Sequence, residues 1–109
     1  MLKICDKTIS LTRGDTLQAK LEILDTEGNE YHPRQGDVVR FAMKKDFSAS
    51  TCLIEKIIPN DTLLLRLDPS DTKTLPFGSY VYDIQITYES GNVDTFIDKA
   101  IFKLTEEVD

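Results

Sequence analysis

The sequence predicts an all-β fold: a Greek-key antiparallel β-sandwich of about seven or eight strands with one short helical turn near 69–75. Three observations predict it. Several short segments alternate apolar and polar residues with the two-residue period of a half-buried strand. Turn residues separate these segments at intervals of roughly 8–12 residues, and no apolar stripe of helical period reaches a useful length. At 109 residues, 40% hydrophobic and 29% charged, the chain suits one soluble domain spanning 1–109 rather than a multidomain enzyme.

The first clear strand is Thr16 to Ile23, with Leu17, Ala19, Leu21 and Ile23 inward and Gln18, Lys20 and Glu22 toward water. Turn chemistry follows at Asp25 to Glu30. From Gly36-Asp37 the chain turns into a second core strand, 38–45, whose Val39, Phe41 and Met43 share one side. After a polar connection at Asp46 to Ser50, Cys52 to Ile58 forms a strand that stops at Pro59, which has no amide hydrogen for a ladder. Leu63, Leu65 and Leu67 alternate with Leu64, Arg66 and Asp68, which leaves Leu64 exposed unless something covers the second face. Asp68-Pro69 starts a single helical turn that Pro76 and Gly78 end. Tyr80 to Tyr88 carries the strongest alternation, with Tyr80, Tyr82, Ile84, Ile86 and Tyr88 on one face. A hairpin connection at Glu89 to Asn92 returns the chain through Val93 to Ile97, and Ala100 to Leu104 closes the fold.

Charge and composition exclude several functions. Thirteen Lys and Arg against nineteen Asp and Glu give a net charge of −6, the wrong sign for gathering phosphates, so no nucleic-acid partner is expected. No apolar run reaches the roughly 18 residues that span a bilayer, and Met1 to Cys5 is too short and mixed for a signal peptide. The expectation is a soluble product made in the cytoplasm, without a membrane partner.

Each candidate site has a structural explanation. His32 is the single histidine and has no nucleophile signature near it, so it is read as a solvated loop residue and no catalytic residue is assigned. Cys5 and Cys52 lack zinc spacing and are expected as free thiols. Asp25 to Glu30 lacks the spacing and closing glutamate of a calcium loop and is read as a turn, so no metal and no cofactor are expected. Asp68, Asp71 and Asp83 do not make an acid–base pair, because the first two serve the helix start. Arg13-Gly14-Asp15 and the sequon Asn60-Asp61-Thr62 are read as turns. Partner contacts are assigned to the loop aromatics Tyr31 and Phe47 and to an extra apolar face formed by Ile54, Leu64 and Ile101.

Three segments taken together carry a resemblance: Gly14-Asp15-Thr16 leading into a strand, Gly36-Asp37 through Lys45, and the block from Leu67 to Thr87. Within that block the order is Asp71-Thr72, Leu75, then Gly78 to Gln85, followed by Gly91 and Thr95. This order resembles small phage tail and baseplate modules, especially the N-terminal domain of baseplate upper proteins and related prophage proteins, over about Gly14 to Val108. The resemblance implies an immunoglobulin-like sandwich that serves as a non-enzymatic attachment or assembly part of a virion. Its partners would be tail or baseplate proteins or further copies of itself. No functional residue carries across, because the matching positions are scaffold. The sequence ends soon after the sandwich, without the fibre, coiled coil or host-binding domain of larger members, and the expectation is an independent small tail protein or an excised domain. The other expectation kept open is an adhesion or ligand-binding sandwich that recognises a host glycan or protein.

Overall fold

The computed structural model describes residues 8–24, 27–46 and 48–106, with the backbone alone at 96–99. Among the described residues seven strands and one helical turn follow in chain order: β1 (Ile9–Thr12), β2 (Leu17–Lys20), β3 (Val38–Lys44), β4 (Ile54–Ile58), β5 (Leu64–Leu67), α1 (Pro69–Thr72), β6 (Gly78–Thr87) and β7 (Val93–Thr105). A five-stranded sheet has the order β1-β7-β6-β3-β4, and a two-stranded sheet pairs β2 with β5. The fold is an all-β sandwich. One sheet is built around a β6–β7 hairpin flanked by β3 and then β4, and the other pairs β2 with β5. Among the described residues no helix is long and apolar enough to cross a membrane.

The alternation read from the sequence points the side chains as expected. Val39, Phe41 and Met43 of β3, Tyr80, Tyr82, Ile84 and Ile86 of β6, and Phe102 and Leu104 of β7 are buried together with Leu21, Ile23, Leu65 and Leu67. Each large apolar side chain withdrawn from water contributes about 1.5–3 kcal/mol, so these facing rows are the main force holding the sheets together. Tyr82 sits at the centre, its ring 5.4 Å from that of Phe41 and 6.5 Å, edge to face, from that of Phe102.

Three features differ from the sequence reading. The strand Ile9–Thr12 precedes the first one expected and runs parallel to β7, with Leu11 opposite Leu104, so the larger sheet is mixed rather than purely antiparallel. The segments 93–97 and 100–104 form one continuous strand; two register shifts against β6, between Tyr82 and Ile84 and between Ile84 and Gln85, break its alternation and make it read as two. The ladder of β2 ends at Lys20, yet Leu21 and Ile23 stay inward because the Leu21 amide donates to the Leu63 carbonyl and the Tyr31 amide to the Ile23 carbonyl. Leu63 accepts a left-handed backbone, φ 50°, to keep its side chain in the core at the end of the turn from Pro59.

Candidate partner-binding surface

The two ends of the sandwich are built differently. At one end β3 begins and β6 finishes, and two loops meet on the carboxylate of Asp37 while a third reaches its backbone carbonyl. Its Oδ2 accepts the Tyr31 hydroxyl at 2.7 Å and the Arg34 amide at 2.9 Å, while Oδ1 accepts the Glu89 amide at 3.2 Å. Asn60 adds the β4–β5 turn by donating its Nδ2 to the Asp37 carbonyl at 2.7 Å and the Arg34 carbonyl at 3.2 Å. The Arg34 amide, helped by the Tyr31 hydroxyl and the Glu89 amide, holds the Asp37 carboxyl below the ordinary carboxylate value against the opposing effect of burial. Burial, and then the bond to Asp37, push the Tyr31 phenol up to about 12. Gly36 makes this closeness possible: its φ is 97°, and a Cβ there would stand 2.9 Å from the Glu89 side chain.

This end is therefore a locked polar junction. Tyr31, expected as a contact residue, is half-buried, with its ring edge-to-face at 6.0 Å from Tyr88 and its hydroxyl committed to Asp37. Asn60 likewise serves the junction.

At the opposite end β3 finishes and β6 begins. The α1–β6 corner is closed by the Tyr80 hydroxyl, which donates to the Pro76 carbonyl four residues upstream. A tyrosine near the start of this strand bonding back to the preceding corner is a recurrent device of immunoglobulin-like sandwiches. Burial raises the Tyr80 phenol. The corner carries Phe77 outward, and the β3–β4 connection carries Leu53 toward it; the two are 43% and 44% exposed. Between them lies a pocket of about 380 Å³ lined by Leu53, Leu75, Pro76, Phe77 and Tyr80, with Lys45 and Ser79 also on its wall. That volume lies at the small end of the roughly 300–1,000 Å³ of small-ligand pockets. The guanidinium of Arg13 lies 4.1 Å from the centre of the Phe77 ring and donates to the Leu75 carbonyl at 3.4 Å, which fixes one lip. This also explains Arg13-Gly14-Asp15: the arginine braces the corner and Gly14, at φ 91°, turns the chain after β1.

The expected apolar face of Ile54, Leu64 and Ile101 is not one surface. Ile54 is 6% exposed and belongs to the core, because it shares the inward phase of β4 with Ile58. Leu64 is half-buried on the outer side of the two-stranded sheet opposite Lys20, and Ile101 is half-buried on the outer side of the larger sheet opposite Val81. Phe47 and Cys5 lie outside the described residues. Of the other residues weighed, His32 is exposed with its Nε2 3.9 Å from Glu30. Cys52 is a free, half-buried thiol raised first by burial and then by Glu55. Among the described residues no cluster of three or more His, Cys, Asp or Glu could hold a metal ion.

The exposed large apolar side chains are instead Leu53 and Phe77 at the pocket, with Val38, Ile57 and Val93 on the outer face of the larger sheet. A phenylalanine between Pro76 and Gly78, where the chain cannot continue a strand or helix, was the available sequence signal for the pocket. No family model and no curated protein matches the chain.

Proposed function

We propose that this chain is a non-enzymatic structural module of a phage or prophage tail or baseplate, made in the bacterial cytoplasm and incorporated into the virion through protein–protein contacts. The observation that carries the contact reading is the apolar pocket at the α1–β6 corner, where Leu53 and Phe77 stand exposed beside it. The ordered resemblance from Gly14 to Val108 supplies the virion context. Recognition of a glycan through Tyr31 is disfavoured, because that residue spends its hydroxyl on Asp37 and its ring on Tyr88.

The test combines genetics with particle analysis. Tail genes beside this gene, the protein in purified particles by mass spectrometry, and loss of complete tails on deletion are expected. Restoration of tails by the wild-type gene but not by a Phe77→Asp variant would tie assembly to the pocket. Particles that are complete and infective without the gene would overturn the reading.

A further inference from the structure

We infer that the pocket at the α1–β6 corner receives one large apolar side chain from a partner segment that carries carboxylates beside it. The inference rests on the protein–protein reading above and adds the chemistry of the partner. The cavity wall is carbon-rich, from Leu53, Leu75, Pro76 and Phe77, so its natural occupant is an aromatic or long aliphatic side chain. The surroundings select the charge. The chain as a whole carries −6, yet the mouth of this pocket is basic. Lys45 is part of the wall, and Lys103 stands opposite the wall residue Ser79 in the β6–β7 ladder. Lys44 stands two residues further along β6, opposite Val81. None of these three lysines makes an ion pair among the described residues.

The acidic neighbour on this stretch, Asp46, is turned into its own loop: Oδ1 accepts the Ser48 amide at 3.0 Å and the Ser48 hydroxyl at 2.8 Å. A segment with acidic groups flanking its anchor gains Coulombic attraction at this mouth, and a basic segment meets repulsion. The anchor also settles against a ring whose position is already fixed by Arg13, so little ordering is needed on this side of the contact.

Two fluorescein-labelled hexapeptides test this with the full chain, one with a single central phenylalanine flanked by aspartates and a twin with lysines in place of the aspartates. The acidic peptide is expected to bind at least tenfold more tightly at low salt, to lose that advantage as salt rises, and to shift the amide resonances of Leu53, Phe77 and Ser79. Phe77→Ser should weaken it at least tenfold, and Lys45→Glu should shrink or reverse the preference; both positions are exposed, and a thermal melt checks that each variant folds. Equal affinity for the two peptides, shifts that map elsewhere, no binding of either at millimolar concentration, or a homodimer that Phe77→Ser dissolves would each overturn the inference. Particle assembly is read separately. Tails that need the protein while the pocket ignores both peptides would remove this inference alone.

Discussion

Lys56 Nζ lies 3.0 Å from Asp71 Oδ1, tying the edge strand of the larger sheet to the helical turn that leads out of the smaller one. Lys56 has the inward phase of β4, opposite Phe41, and its stem runs between Ile54 and Ile58 before the ammonium emerges at α1. The other oxygen of Asp71 accepts the Asp68 amide at 2.8 Å and caps the turn. One carboxylate therefore starts α1 and clamps it across the sandwich.

Because Asp71 does two jobs and Lys56 one, their substitutions should differ. Asp71→Ala is expected to cost about 1–2 kcal/mol from the lost cap and pair. Lys56→Met keeps the packed stem and should cost less than about 1 kcal/mol. Urea midpoints of the two variants compare them directly, and a larger loss for Lys56→Met would show that the ammonium, not the cap made by the carboxylate, holds the corner.

The junction on Asp37 has a pH signature. Its carboxyl lies below the ordinary value of 3.8 in the folded protein, so its stabilising contribution is complete above that value and is lost as pH falls through the lower, folded one. Asp37→Asn sets an amide against amide donors and should cost about 2–3 kcal/mol at neutral pH. The stability gap between wild type and variant should therefore hold from pH 7 to about 4 and narrow below it. Chemical denaturation at a series of pH values measures the gap; one that stays constant down to pH 2 would place the shift on another group.

Tyr80 and Tyr82 share a strand face but hold different things. Tyr82 fills the space between Phe41 and Phe102, so Tyr82→Ala should cost about 3–5 kcal/mol, while Tyr80→Phe removes only the hydroxyl on the Pro76 carbonyl and should cost about 1–2 kcal/mol. Tyr80→Phe should also loosen the α1–β6 corner, seen as faster amide exchange at Phe77 and Gly78 with the core unchanged. Equal melting temperatures for the two variants would contradict this division.

These cases show why the fold was readable and the site was not. Inward rows such as Val39-Phe41-Met43 and Tyr80-Tyr82-Ile84-Ile86 announce themselves because the strand period is imposed on every residue by the pleat. Ile9–Thr12 is four residues long and takes its place only through parallel pairing with residues 102–105, a relation that no local pattern records. Ile54 and Leu53 are neighbours of similar chemistry, and which of them is buried depends on the phase set by β3, so the sequence pattern places Ile54 outward where the structure places it in the core. Tyr31 resembled a free loop aromatic because its partner Asp37, six residues on, could be matched to it only once the loop was closed. The pocket arises where 45, 53 and 75–80 converge, a tertiary fact with a single local hint at Phe77.

Thr72 offers a test of how α1 is buried. It is fully enclosed, and its hydroxyl has no hydrogen-bond partner among the described residues. A buried hydroxyl without a partner carries a desolvation cost that an isosteric methyl does not, so Thr72→Val should be neutral or stabilise by up to about 1 kcal/mol. This departs from the ordinary expectation for changing a core residue, and it separates Thr72 from its neighbour Asp71, whose oxygens are both engaged. Guanidinium denaturation of Thr72→Val decides it: a loss greater than 1 kcal/mol would mean that a water or a rotated carbonyl satisfies the hydroxyl, and that the helical turn sits less tightly on the core than its burial indicates.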